Sequence, residues 1–407
     1  MPSERRVLFW MCVLIGVNQL GFGAIVPAIA LYADSFGVSG AAIGLSIAVY
    51  GLARVFVAAP SGSSADRLGR RRTLAIGGLL TCIGNLWCAL ASSYPEFVLA
   101  RFIAGAGAGV VVGVGQIVLA DISTPERRGR MMAIYQGSFL FAVGIGPLPG
   151  GLLADHFGLS APFFAFALLA LGTTAVAWFA VPETRDFASR RSGHATAPRL
   201  PYLQQVAQIA RNRAFVLVCL VAFTNACART GGLFAIVPIL GAFTLGLTTG
   251  EIGTALAIGS IAGLAAAYPT GWLLDRFGRK AVIVPATLIA GATFMLFRIA
   301  PDYTWFVAAC LLWSVAASSG GTAPAAYAAD TAPPGMNAAT MSTFRMLGDI
   351  GYVVGPITLG WIVDLGGPET GPGDALTVAA IGLVASALLF WWFAPAGYTG
   401  SRRGGRP

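Results

Sequence analysis

Twelve runs of about twenty apolar residues follow one another along the 407-residue chain. They lie near 7–33, 41–60, 73–92, 96–119, 131–154, 162–181, 214–241, 251–271, 281–299, 303–326, 339–363 and 376–395. A hydrocarbon layer of ~30 Å is crossed by about twenty residues of helix. Backbone facing lipid must satisfy its own hydrogen bonds, so the runs are expected to be helices. Apolar residues make up 56% of the chain and charged ones 11%, too little polar surface for a soluble protein of this length. The 53 glycines suit helices that approach closely in a membrane. Cys12, Cys82, Cys88, Cys219, Cys227 and Cys310 all fall inside apolar runs, which reads as small buried residues rather than a disulfide framework or metal site.

The net charge of +9 raises the question of nucleic acid, but its distribution points to topology. Basic residues cluster at Arg5–Arg6, Arg67–Arg72, Arg127–Arg130, Arg185–Arg213, Arg276–Lys280 and Arg402–Arg406, and only Arg54, Arg101, Arg229, Arg298 and Arg345 lie elsewhere. With the N-terminus inside, every cluster is cytoplasmic and the opposite side keeps only Arg298, so both termini are expected in the cytoplasm. Loop 331–338 is cytoplasmic by count yet carries no base. No cleavage site separates the N-terminus from the first run, so no removable signal peptide is read. The long connection 182–213 starts polar and ends as a short basic amphipathic stretch. It reads either as a helix on the anionic inner leaflet or as a solvated linker.

The chain repeats itself. Gly62, Asp66, Arg67, Gly69, Arg70 and Arg71 recur 209 positions on as Gly271, Asp275, Arg276, Gly278, Arg279 and Lys280. Asp121 and Asp330, Asp155 and Asp364, and Gly146-Pro147 and Gly355-Pro356 share that offset. "AIVP" recurs at Ala24–Pro27 and Ala235–Pro238 with an offset of 211. Collinear matches of this kind imply two six-helix halves, an architecture of secondary transporters with the substrate site between them.

At these residues the chain resembles the major facilitator superfamily over nearly its whole length. Gly62–Arg72 is similar to that family's loop between spans 2 and 3, and Gly271–Lys280 to its second copy. "RFIAGAGAG" at Arg101–Gly109 resembles the fourth-span motif, with Ala104 where the family often has Gln, which leaves a hydrogen-bonding partner missing. "GIGPLPGG", containing Gly144, Gly146, Pro147, Gly150 and Gly151, resembles the fifth-span motif of the drug:proton antiporter branch, and "VPET" at Val181–Thr184 ends the sixth span as in many members. The resemblance implies an all-α integral membrane fold of twelve transmembrane helices in two six-helix bundles. The halves would be 1–181 and 214–407, joined by the linker 182–213. It also implies that Gly62, Asp66, Arg67, Gly69, Arg70 and Asp121, with Gly271, Asp275, Arg276, Gly278, Arg279 and Asp330, latch the bundles in one conformation.

Physically, Gly62 and Gly271 remove side chains where helix ends converge. Asp66 and Asp275 can accept from the N-terminus of a nearby helix, while Arg70 and Arg279 can reach Asp121 and Asp330. The Arg clusters can equally be topological anchors. Pro147 removes a backbone hydrogen bond inside the fifth span and its glycines permit close packing, for gating or simply for packing.

Ionisable side chains inside a bilayer are costly and tend to mark pathways. Arg54 and Arg101 lie near span ends and can snorkel. Arg229 is ~18 Å from either end of the seventh span and cannot snorkel cheaply; it takes the repeat position of Asn18. Arg345 and Asp349 stand one turn apart in the eleventh span, as a self-neutralising pair or as a proton carrier. Asp34 is a second carrier candidate, and Arg101 a coupling candidate. Asn18, Gln19, Gln116, Gln136 and Asn225 can line a cavity, with Phe22, Phe139, Tyr135 and Phe223 as apolar walls. An excess of Arg over Asp suits an anionic or carbonyl-rich substrate, or Arg satisfied by backbone carbonyls at helix breaks.

No Walker-type loop, GxSxG, HExxH or Cys/His cluster is present, so no enzymatic activity, ATP use, cofactor or metal is expected. The expectation is a monomeric, proton-driven exporter of small amphipathic compounds in a bacterial plasma membrane, with substrate, protons and lipid as partners and no nucleic acid. The alternatives are uptake of a small anionic metabolite with Arg229 as counter-charge, and a sensor or lipid-handling protein without solute turnover.

Overall fold

The computed structural model describes residues 4–123, 125–184, 202–320, 322–333 and 336–395. Most of the linker, including its Arg185–Arg199 portion, and Arg402–Arg406 lie outside these residues. Among the described residues, twelve helices are long and apolar enough to cross a membrane. Spans 1 to 6 are Glu4–Asp34, Gly40–Ala58, Arg70–Leu90, Tyr94–Ile122, Arg130–Phe157 and Ala161–Phe179. Spans 7 to 12 are Arg213–Thr244, Thr249–Leu274, Arg279–Ile299, Tyr303–Asp330, Ala339–Gly367 and Glu369–Phe393. Spans 11 and 12 follow each other with no real loop. They meet at Gly367, whose φ of 74° breaks the helix where an L side chain would be strained.

Chain contacts divide the molecule into two units, Met1–Ala197 with Pro238–Ala257, and Pro198–Val237 with Ile258–Pro407. The end of span 7 and the start of span 8, second-half residues by sequence, thus cluster with the first half. The core of the first unit gathers Met11, Leu14, Val111, Val114, Leu119 and Tyr135. That of the second gathers Phe215, Val218, Ile283, Tyr327 and Phe390. In the linker, Tyr202–Ala210 is a short helix. Its Ile209 is buried in the second unit's core, so this stretch is held by packing as well as by any leaflet or solvent.

Span 7 departs from a plain helix. Between Arg213–Cys227 and Val237–Thr244 the chain winds as a π-helix over Ala228–Ile236. Pro238 follows two residues after its end. A proline ring crowds the carbonyl four residues before it, and a wider turn relieves that crowding. Span 1 carries Pro27 at the matching place and stays α-helical throughout Glu4–Asp34, so the repeat does not extend to this local winding.

Candidate functional site

Where span 2 turns into span 3, Gly69 has a φ of 93°, and a Cβ there would collide with the Glu183 carboxylate. The turn places Arg70 at the first position of span 3, buried at 5% exposure. Its Nε donates to Asp121 Oδ2 at 2.9 Å, and its Nη1 donates to Asp66 Oδ1 at 2.8 Å and to the Ala65 carbonyl at 3.0 Å. Thr184 Oγ1 donates to the same Asp121 oxygen at 3.2 Å. Glu183 accepts from the backbone N–H groups of Arg70 at 2.9 Å and Arg71 at 3.3 Å, and so caps the start of span 3. This cap was not read from the sequence. The available signal was the acid of "VPET" standing immediately past a span end.

The second copy is built differently. Gly278 repeats the turn with a φ of 85°, and Arg279 Nε lies 3.1 Å from Asp330 Oδ2. Those side chains are 25% and 30% exposed, against 6% and 9% for Arg70 and Asp121. In place of an acid capping the helix, the Lys280 ammonium donates to the Ala394 carbonyl at 2.6 Å. The Asp275 side chain lies outside the described residues; Arg276 stacks near Trp272 and Phe277. Gly62 and Gly271 touch little: a Cβ on Gly62 would meet only Ile117, at 4.0 Å, and one on Gly271 nothing within 4 Å.

Within span 5 the hydrogen-bond ladder breaks once, before Pro147, while Gly146 keeps helical angles of −53° and −41°. The glycines on either side bring backbones together. Gly146 rests on Gly23 and Leu20 of span 1, and a Cβ on Gly150 would overlap the Ala24 carbonyl. Gly151 is packed against Thr249 and Gly250 at the start of span 8, and Gly253 against Pro147. At the end of span 5, Asp155 accepts hydrogen bonds from the Thr249 hydroxyl and, at 2.9 Å, from the Gly250 N–H. All these residues belong to the first unit.

Arg101 does not snorkel. It is fully buried at 0% exposure, its guanidinium carbon 4.4 Å from the centroid of the Tyr50 ring, and its Nε donates to the Ser46 carbonyl at 3.2 Å. Nη1 and Nη2 have no partner among the described residues. Sequence depth placed it near a span end; neighbouring spans enclose it there, which depth cannot reveal. Ala104 packs closely against Gly84 of span 3, where a Cβ on the glycine would overlap it.

The sequence profile described as Major Facilitator Superfamily matches residues 11–356 and 218–406. The chain belongs to the major facilitator superfamily. It is 22% identical to an MFS-type transporter of Methanocaldococcus jannaschii over 90% of this chain and 93% of that one. It is 24% identical to Multidrug resistance protein 2 of Bacillus subtilis over 71% and 72%. The solved nucleoside transporter NupG superposes with a TM-score of 0.78 at 16% identity, covering 95% of this chain and 98% of that one, which is a likeness of fold. The protein is a multi-pass membrane transporter of a small molecule, not an enzyme.

The remaining candidates of this superfamily member fall into three groups by burial. Asn18, Gln19 and Tyr135 are buried in the first unit rather than lining an open wall, and both side-chain polar atoms of Asn18 lack a partner among the described residues. Phe22 stacks on Tyr50 at 5.3 Å. Gln116, Phe139, Phe223 and Asn225 are half-buried, and Asn225 donates to the Val221 carbonyl at 2.8 Å. Asp34 and Arg54 are also half-buried. Gln136, Arg229, Arg345 and Asp349 are exposed. Asn18 and Arg229 share a repeat position yet have opposite environments, because one sits in an α-helix and the other in the π-segment.

Proposed function

We propose that this transporter exports small amphipathic compounds by alternating access, driven by protons moving inward. The observation that carries the reading is the Gly144–Gly151 run, whose glycines hold span 5 in backbone contact with spans 1 and 8. Such tight, side-chain-free contacts allow helices to slide or rock as rigid pieces. The relative named Multidrug resistance protein 2 supports a drug-like substrate type. The sequence halves 1–181 and 214–407 are the moving bundles, and the Arg70 and Arg279 networks latch them in one state. The termini and Arg clusters face the cytoplasm of a bacterial plasma membrane, and the protein works as a monomer. Asp349, one turn after Arg345 in the eleventh span, carries the proton.

Purified protein in proteoliposomes tests this. An imposed pH gradient is expected to drive efflux of amphipathic dyes, and Asp349→Asn to abolish the pH-driven part while expression persists. Dye flux indifferent to the gradient would refute proton-driven export. Accumulation of labelled organic anions by expressing cells, without dye export, would reverse the direction to uptake.

A further inference from the structure

Arg229 stands at the second position of the π-segment Ala228–Ile236. Its surroundings are held firmly. The Thr230 hydroxyl donates to the Ala226 carbonyl at 2.9 Å and to the Tyr352 carbonyl of span 11 at 3.3 Å. Gly231 abuts the backbone of Gly355, Gly355 abuts Cys227, and Gly232 abuts the Phe294 ring of span 9. Any side chain at these glycines would force spans 7, 9 and 11 apart, so the winding that presents Arg229 is locked by three spans.

The side chain itself is exposed, and a charged group at that depth faces a cavity or a partner rather than lipid. The Phe234 ring lies 5.6 Å from the guanidinium carbon. Among the described residues, no carboxylate lies within ion-pair distance of Arg229. No backbone carbonyl of the loosened turn accepts from it either, so carbonyls at a helix break do not satisfy this arginine. An ionisable group held at mid-span without a protein counter-charge is a functional group by default.

We infer that Arg229, with Phe234, binds the carboxylate of an amphipathic organic monoanion. This deepens, and rests on, the transport reading above. A single guanidinium balances a single charge, and its planar fork matches a carboxylate with two parallel N–H donors. The ring of Phe234 offers apolar surface to the body of the ligand.

The test uses full-length protein in nanodiscs with two fluorescent probes, dansyl-norleucine and dansyl-norleucinamide, which differ only in the carboxylate. The acid is expected to bind at least about tenfold more tightly than the amide. Arg229→Gln should erase that preference by weakening only the acid, and Arg229→Lys should keep part of it. Equal binding of the two probes to the unmodified protein, no binding of either, or a preference surviving Arg229→Gln overturns the site. Dye efflux by the same preparation separates the two readings. Dyes that move while acid and amide bind alike remove only the carboxylate site. Static dyes with an Arg229-dependent preference remove the export reading and leave the site standing.

Discussion

The Arg70 guanidinium meets the Asp121 carboxylate at 2.9 Å with both side chains more than nine-tenths buried, whereas Arg279 and Asp330, at the same places in the second half, meet at 3.1 Å and are several times more exposed. Removing one member of a fully buried pair strands the other and costs ~3–5 kcal/mol, and the cost falls as the pair is more solvated. Asp121→Asn is therefore expected to depress the thermal midpoint of the detergent-purified protein more than Asp330→Asn. Equal depressions would mean that the two copies of the loop are held with equal strength.

Span 5 offers a matched pair of glycines. At Gly150 a methyl would overlap the Ala24 carbonyl, while at Gly137 nothing lies within 4 Å. Overpacking costs ~1–3 kcal/mol, and glycine inside a helix costs about 0.5–1 kcal/mol relative to alanine. Gly150→Ala should lower both thermal stability and dye efflux. Gly137→Ala should leave efflux intact and stability equal or higher. Thermal scans and proteoliposome flux read the two together, and a harmless Gly150→Ala would contradict the close approach of spans 1 and 5.

Asp155 accepts from both the Thr249 hydroxyl and the Gly250 N–H, so it both pairs with a side chain and caps the start of span 8. Neighbours that share a bond are non-additive by ~0.5–3 kcal/mol. A double-mutant cycle of Asp155→Asn and Thr249→Val is expected to show a coupling of about 1 kcal/mol in unfolding free energy. Strict additivity would show that the bond carries no stability.

Arg101 is buried over Tyr50 with two nitrogens unpartnered among the described residues. Replacing a buried charge by an apolar chain of similar volume is often neutral or stabilising. Arg101→Met should keep or raise the thermal midpoint yet abolish pH-driven efflux, which would mark the arginine as retained for transport rather than for folding. A large loss of stability with residual coupling would assign it a structural role.

The twelve spans were legible because each apolar run is long enough to cross a bilayer and is read locally. The family was legible because the Gly62–Arg72 loop and its copy combine special residues at fixed spacing. Glu183 was seen only as the end of "VPET". Its capping of span 3 depends on a chain reversal more than a hundred residues long, which no local pattern encodes. Arg101 and Arg229 were both visible as charges inside apolar runs, but position along a helix gives depth and not surroundings.

The amino-acid order alone determined how many helices there are, where charge collects and that the two halves share one plan, because hydropathy and repeat spacing act through neighbouring residues. Tertiary packing decided that Arg101 is enclosed while Arg229 is presented on a π-turn, and that one copy of the repeated ion pair is more deeply buried than the other. Burial depends on which distant backbones approach, and glycine contacts such as Gly150 on Ala24 and Gly231 on Gly355 set those approaches.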